Sequence, residues 1–243
     1  MNKYFKKILQ AQVYEVAKET PLEKAKILSR MLNNYIYLKR EDLQEVFSFK
    51  IRGAFNKMRN LTKEQLDKGV ITSSAGNHAQ GVALSALKLS CKATIVMPIT
   101  TPLVKINAVK ELKASVILFG DNYDDAHKEA LRISHNEGLC FIHPFDDPEV
   151  IAGQGTIGIE IISQLNKTPD SIYIAVGGGG LISGVALYIK TLWPEVKIIG
   201  VEPEDANAMT KSLQENEIIE LNKVGLFADG VAVKKVGETT FEI

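Results

Sequence analysis

Short apolar strands alternate with amphipathic helices from Val70 to about residue 138, and this rhythm constrains the fold more than any other feature. Runs rich in β-branched residues, among them VITSS, KATIVMP and ASVILFG, are each followed by a stretch with helical spacing of apolar side chains. Strands and helices in this order are typical of parallel sheets. The rhythm returns after residue 155 with the strands SIYIAVG and KIIGVEP. The sequence therefore predicts an α/β fold of two lobes, with parallel sheets flanked by helices.

A turn-rich segment, PFDDPE, interrupts this rhythm directly after His143. Proline, aspartate and neighbouring turn-formers end regular structure, so the segment predicts a crossing from one lobe to the other. The N-terminal stretch has apolar residues at Tyr4, Ile8, Leu9 and Val13, a spacing that predicts an amphipathic helix.

The charge balance narrows the class of partner. Lysine plus arginine and aspartate plus glutamate each number 29, so no net field draws the chain to nucleic acid or to an anionic membrane. The uncharged run from Ile172 to Ile189 carries four consecutive glycines at its centre, which favour a strand, a turn and a helix over a membrane span. We expect a small-molecule partner.

The two cysteines, Cys91 and Cys140, form no CxxC pair and lie near no histidine cluster. This pattern predicts neither a disulfide framework nor a metal site. It favours buried thiols in a reducing compartment, which we expect to be the cytoplasm.

Lys50 lies in the first candidate motif, SFKIRGA, between Phe49 and a Gly-Ala pair that follows shortly after. Desolvation beside an aromatic ring lowers the pKa of a lysine and leaves its amine nucleophilic toward carbonyl groups. The alternative is an ordinary surface lysine at a helix start, which is the commoner situation for lysine.

The second motif, SSAGNHAQG, directly follows the strand that begins at Val70. Small residues permit close backbone approach, and the helix that follows offers free N–H groups to a carboxylate or phosphate. The alternative is a simple helix cap made by Ser74 or Asn77.

The third motif consists of Gly177, Gly178, Gly179, Gly180 and Leu181, placed between a strand and a helix. Consecutive glycines let the backbone wrap an anion at a helix N-terminus, so the motif predicts a phosphate site. A tight turn explains one or two of these glycines but not four. A second alternative is a dinucleotide site in which Glu202 holds a ribose, although GGGGLISG is not GxGxxG.

Taken together, SFKIRGA, SSAGNHAQG and GGGGLISG resemble the motifs of the fold-type II pyridoxal 5′-phosphate (PLP) enzymes, and among them those of the threonine dehydratases (threonine ammonia-lyases). The resemblance runs from about Ala11 to Ile243. Two further segments, VGLFADGVAV and GVEPEDA, are similar to the biosynthetic form of isoleucine synthesis.

The resemblance implies a role for each of these residues. Lys50 is similar to the lysine that binds PLP covalently and acts as the catalytic base, and Phe49 to the residue flanking the cofactor ring. Asn77 is similar to the asparagine that bonds the ring hydroxyl. The cofactor phosphate would bind Gly177, Gly178, Gly179, Gly180 and Leu181, and the substrate carboxylate would bind Ser74, Ala75, Gly76 and His78.

The activity that the resemblance implies is dehydration and deamination of L-threonine to 2-oxobutanoate and ammonia, with L-serine giving pyruvate. Ala75 stands where serine-racemising relatives carry a serine, so we expect elimination rather than racemisation. Ala208 replaces a carboxylate that those relatives use for a cation, so no metal site is expected. The alternatives are another fold-type II lyase or β-replacement enzyme, and a non-catalytic nucleotide-binding α/β module.

The resemblance also divides the chain, with residues 1–52 and 145–243 in a large phosphate-binding lobe and residues 53–144 in a small mobile lobe. Members of the family continue with further βα units, a residue that bonds the pyridine nitrogen and a regulatory C-terminal domain. None of these has a counterpart before Ile243, so we expect an incomplete second lobe and impaired activity. The family implies a homo-oligomer.

Overall fold

The computed structural model describes residues 3–225 and 227–243, which form two parallel sheets flanked by helices and one short antiparallel strand pair. The strands are β1 (Leu22–Lys24), β2 (Tyr37–Lys39), β3 (Val70–Ser73), β4 (Ala93–Met97), β5 (Ser115–Leu118), β6 (Cys140–Phe141), β7 (Ser171–Ala175) and β8 (Lys197–Val201). The helices are α1 (Lys3–Gln10), α2 (Lys26–Met31), α3 (Lys50–Arg59), α4 (Lys63–Lys68), α5 (Asn77–Lys88), α6 (Leu103–Glu111), α7 (Tyr123–Glu137), α8 (Pro148–Gln164), α9 (Gly180–Leu192), α10 (Ala208–Glu215) and α11 (Glu238–Glu242). The α/β fold predicted from the sequence is confirmed.

The larger sheet contains four strands in the order β5-β4-β3-β6, all parallel. Helices α5 and α6 cover one face, where Ile95 and Met97 are fully buried with Ala79. Helix α7 covers the other face, where Ile71 and Val96 pack against its alanines. Because both faces are covered, β3 and β4 are buried at almost every position instead of at alternate ones.

The second sheet pairs β7 with β8 in parallel. Helices α8 and α9 cover one face through a cluster that includes Ile174 and Ile189, and α10 packs on the other face against Val176. The crossover from β7 through α9 to β8 is a βα unit, as the sequence pattern predicts.

The N-terminal residues form helix α1 and the two short strands β1 and β2. Helix α1 forms as expected and buries Tyr4 and Ile8, but Leu9 is half exposed because the buried face turns toward Phe5, which stacks on Tyr188 at 5.3 Å. The antiparallel pair of β1 and β2 was not predicted, since each strand has only three residues.

Helix α8 begins at Pro148, seven residues before the helix that its apolar spacing predicts from residue 155. The cause is local: the Asp147 carboxylate accepts the amides of Glu149 and Val150, and Pro148 occupies the first turn. The crossing predicted for PFDDPE is therefore shorter than expected, since only residues 142–147 separate β6 from α8. Within the part of the chain that the structure describes, no helix is both long and apolar enough to cross a bilayer.

Glycines allow α8 to lie close to its neighbours. A Cβ on Gly153 would come within 2.6 Å of the Arg52 carbonyl on α3, and a Cβ on Gly184 within 2.4 Å of the Ile151 carbonyl. The three helices therefore form a tight layer, and this layer fixes the start of α3, where Lys50 lies.

Candidate active site

Lys50 is the first residue of α3 and points into the molecule. Its Nζ donates a hydrogen bond to the carbonyl oxygen of Pro144 at 2.7 Å and lies 5.5 Å from the centre of the Phe49 ring. Burial lowers the pKa of this amine to about 8. The geometry excludes the surface-lysine interpretation and presents an amine that is partly deprotonated at neutral pH.

The segment from Ser74 to His78 comprises the loop after β3 and the first two residues of α5. The Ser74 hydroxyl accepts the Gly76 amide at 3.1 Å, and helix α5 has Gly76 as its N-cap without any side-chain cap. The alternative in which Ser74 or Asn77 caps the helix is therefore wrong.

The same segment offers donors to a ligand. The amides of Ala75, Asn77 and His78 donate to no acceptor within residues 3–225 and 227–243, and a Cβ on Gly76 would meet open space. The Asn77 side chain is exposed at the helix start. Three free amides beside an open position suit a carboxylate.

His78 differs from Asn77 in being buried, with only 3% of its surface exposed. Its Nε2 lies 3.0 Å from the Ile142 carbonyl, so Nε2 must carry the proton that is donated. Burial, together with the charge of Lys50, lowers the pKa of His78 to about 3. The imidazole is therefore neutral, and its Nδ1 is a buried acceptor that no donor reaches in the described parts of the chain.

The tetraglycine loop lies between β7 and α9. Gly179 has φ +97°, a conformation that strains any residue with a Cβ. The Ser183 amide donates to the Gly179 carbonyl, whereas the amides from Gly177 to Leu181 find no acceptor among the residues that the structure describes. A row of free amides at a helix N-terminus is the donor set expected for a phosphate.

The segment His143–Asp146 joins these groups. Pro144 binds the lysine amine through its carbonyl, and the next residue, Phe145, packs against the loop, since a Cβ on Gly178 would lie 2.3 Å from its ring. The sequence predicts only a crossing here, and the place of this segment in the site is visible only in the structure. Its turn composition was a signal, but nothing local showed which groups it would meet.

Helix α11 supports the glycine loop from the other side. The Asp146 carboxylate accepts the amides of Glu238, Thr239 and Thr240. The Thr240 hydroxyl in turn donates to the Gly178 carbonyl at 2.6 Å. These bonds attach the loop to the same turn that contacts Lys50.

Glu202, the residue that a dinucleotide site would need, is already engaged. Its carboxylate accepts the Met209 amide at 3.0 Å and the amide and hydroxyl of Thr210 at 2.8 and 2.7 Å. Both oxygens are used to hold the start of α10, which argues against a ribose-binding role. No group of three or more His, Cys, Asp or Glu side chains in the described ranges is arranged to hold a metal, and Ala208 is buried.

The chain is similar to known proteins over almost its whole length. A family model described as pyridoxal-phosphate dependent enzyme matches residues 13–243. The biosynthetic chloroplastic threonine dehydratase of Arabidopsis thaliana is 60% identical over 240 residues, and the biosynthetic L-threonine dehydratase of Escherichia coli is 48% identical. These alignments cover 99% of this chain but only 40% and 46% of those proteins. The chain therefore spans less than half the length of these curated relatives.

Solved structures agree with the sequence matches. The processed form of threonine deaminase isoform 2 from Solanum lycopersicum superposes with a TM-score of 0.96 at 56% identity, covering 98% of this chain and 69% of that one. Maize serine racemase superposes with a TM-score of 0.93 at 33% identity, covering 98% and 72%.

Proposed function

Because the chain belongs to the pyridoxal-phosphate dependent enzymes, we propose that the whole protein uses this cofactor to eliminate water and ammonia from L-threonine, and from L-serine. The observation that supports this most is the buried Lys50 amine, whose pKa is lowered to about 8 and which binds the turn that packs against the tetraglycine loop. The threonine dehydratases named above, similar over 99% of the chain, support the choice of substrate.

The residues present fit the cofactor. Gly177, Gly178, Gly179, Gly180 and Leu181 offer free amides for its phosphate, and the nucleophilic amine of Lys50 suits its aldehyde. Phe49 would flank the ring and the exposed Asn77 side chain would bond its hydroxyl. When bound, the cofactor supplies an electron sink for the negative charge that develops on the substrate's α-carbon.

The chain's own residues position the substrate and move its proton. The amides of Ala75, Asn77 and His78, with the Ser74 and Gly76 backbone around them, would orient the substrate carboxylate at the start of α5. The Lys50 Nζ, neutral in part of the molecules at pH 7, would take the α-proton.

Ala75 carries a methyl group, so this side chain has no proton to donate to the opposite face of the substrate. This favours elimination over racemisation. The runner-up is a neighbouring reaction of the same cofactor, such as β-replacement, which uses the same lysine and loops.

Replacement of Lys50 tests the proposal directly. We expect Lys50→Ala to lower 2-oxobutanoate formation from threonine at least about 1,000-fold, since one group is both anchor and base. Lys88→Ala on the exposed face of α5 is the control and should keep the parent rate. Undiminished turnover in Lys50→Ala would refute the assignment, and release of a β-substituted amino acid when thiol is added would favour the runner-up.

The remaining parts of the proposal concern organisation. We propose that residues 53–144 form the small lobe and residues 1–52 and 145–243 belong to the large one, because all four strands of the larger sheet lie between Val70 and Phe141. We also propose a homo-oligomer in the cytoplasm, where the free thiols of Cys91 and Cys140 would stay reduced. Sedimentation of the purified protein tests the oligomer.

A further inference from the structure

We propose that His143 is a positioning residue for Lys50, because it shapes the turn that presents the Pro144 carbonyl to the lysine amine. The inference rests on the proposed function in that Lys50 is the base, but the turn geometry and its test do not depend on the substrate.

The turn is closed by the imidazole. His143 Nδ1 accepts the amide of Phe145 at 3.3 Å and the amide of Asp146 at 2.8 Å. Since both partners are donors, Nδ1 is unprotonated. The ring is held edge-on by Phe145, with centroids 4.7 Å apart, and by Phe141 at 6.1 Å. Without that acceptor, two amides of the turn lose their partner.

The start of the turn is fixed independently. The Ile142 carbonyl lies 2.8 Å from the Thr72 hydroxyl, which donates to it, and 3.0 Å from the protonated Nε2 of His78. One histidine therefore acts as a donor at the residue before the turn, and the other acts as an acceptor within it. Pro144 lies between these two anchors, so its carbonyl has a defined direction.

Burial keeps both histidines neutral. Lys50, His127, Asp146 and Asp147 face His143, and burial outweighs the two carboxylates to lower its pKa to about 4. A protonated His143 could not accept the two amides. Among the residues that the structure describes, the Lys50 charge helps to lower the pKa of His78 from α5 and of His143 from the turn.

The Pro144 carbonyl matters because it can only accept. When the Lys50 amine is free and neutral, it donates one N–H to this oxygen, 2.7 Å away, and keeps its lone pair for another direction. The hydrogen bond thus selects one orientation of the flexible lysine side chain and leaves the nitrogen lone pair free to accept a proton. An amine without this partner would have to find that orientation among several rotamers.

Competitive labelling with acetic anhydride in the cofactor-free protein tests the inference, with the acylation of each lysine followed against pH by mass spectrometry. In His143→Leu we expect the midpoint for Lys50 to fall by about one pH unit. The turn would no longer hold the Pro144 carbonyl in place, so the charged amine would lose this hydrogen bond. In His143→Asn, whose Oδ1 can replace Nδ1, the midpoint should stay at the parent value. Exposed Lys88 serves as the internal control in each protein.

With cofactor and threonine, His143→Leu should lower kcat by about 10-fold while KM changes by less than about 3-fold, since orientation of the base rather than substrate binding is affected. His143→Asn should recover most of that loss. A Lys50 midpoint that is the same in His143→Leu and the parent would overturn the inference. A shifted midpoint in a protein that does not act on threonine would instead refute only the proposed function.

If His143→Leu does not fold, the parent protein still decides. Nitrogen chemical shifts of His143 should show an unprotonated Nδ1 and a protonated Nε2 at pH 7. A protonated Nδ1 at that pH would overturn the inference without any variant.

Discussion

Arg52 lies two residues after Lys50 and is completely buried, so its charge must be matched inside the protein. Its guanidinium donates to both carboxylate oxygens of Glu41 at 2.8 Å and to Glu160 at 2.5 and 3.0 Å. Lys39 pairs with the same Glu160 at 2.6 Å, and burial with the nearby Glu160 raises the pKa of Tyr14 to about 12. This network attaches α3 to α8. It thereby fixes the position of the first turn of α3, where Lys50 lies.

Removing Arg52 should therefore destabilise the protein strongly. We expect Arg52→Ala to lower the free energy of unfolding by about 3–5 kcal/mol, because Glu160 is left buried with one partner fewer. Arg59→Ala is the matched control on the same helix, since its pair with Glu15 is about half exposed at 3.3 Å and should cost less than about 1 kcal/mol. Urea unfolding measures both. Equal losses would show that the buried network has no special weight.

The glycine loop gives a second test with single residues. Gly179→Ala places a Cβ at φ +97° and within 2.8 Å of Met209 and Thr240, so we expect cofactor affinity to fall by about 10-fold or more. Gly230→Ala adds the same methyl group where nothing lies within 4 Å, and its affinity should stay within about 2-fold. A titration of the cofactor-free proteins with PLP distinguishes them. Unchanged affinity in Gly179→Ala would contradict a phosphate role for the loop.

At the scale of elements, helix caps connect local stability to the site. Asp146 caps the short helix α11, and Thr240 of that helix bonds the Gly178 carbonyl. Asn122 caps α7 in the ordinary way by accepting the Asp125 amide at 3.1 Å. The Asp146 cap therefore stabilises the helix that holds the glycine loop. The Asn122 cap stabilises a helix that covers the larger sheet.

The two caps should therefore differ in effect. We expect Asp146→Ala and Asn122→Ala each to cost about 1–2 kcal/mol of stability, because each removes a helix cap. Only Asp146→Ala should also weaken cofactor binding, since α11 would release the Gly178 carbonyl. Thermal unfolding and PLP titration provide the two readouts. An equal loss of affinity in both variants would mean that the effect is general destabilisation.

Sequence pattern predicted these elements well where the signal was local. Helix α7 ends at Gly138, whose φ of +67° is the left-handed conformation expected of a C-terminal glycine. The start of α8 differs from the prediction because apolar spacing does not reveal the Asp147 cap and Pro148, which form its first turn. The pair of β1 and β2 was missed because three residues carry too little periodicity to recognise.

At the scale of the whole molecule, residues that follow α10 contact the helices that cover the larger sheet. Lys105 of α6 pairs with Asp229 at 2.6 Å, and Lys234 pairs with Asp124 of α7 at 2.6 Å. Hydrogen bonding and the charge of Asp124 raise the pKa of Lys234. Both pairs are partly solvated, so they guide the contact more than they stabilise it. Leu226, which precedes Asp229 in this segment, lies outside the described residues.

The pH dependence of stability follows from the two buried histidines. In the folded chain their pKa values are about 4 for His143 and about 3 for His78, against an ordinary 6.5, so the unfolded state takes up protons first as the pH falls. Their contribution is fully present above about pH 6.5 and is lost as the pH falls toward 4 and then 3, with about 3 kcal/mol from His143. Urea unfolding between pH 8 and pH 4.5 measures it. We expect a smaller fall in His143→Asn, and a flat parent profile would exclude neutral buried histidines.

The surroundings of Lys50 show which features the sequence determines and which depend on the tertiary structure. The α/β rhythm, the left-handed Gly138 and Gly179, and the three motifs depend on short stretches of chain, so composition and spacing determined them. The Pro144 carbonyl that binds Lys50 lies 94 residues away, and the Arg52 partner Glu160 lies 108 residues away. Such pairs form only when α3, α8 and the turn after β6 pack together. Only the tertiary structure decided them, because the burial that leaves part of the lysine amine unprotonated and keeps the histidines neutral is a property of packing and not of any local pattern.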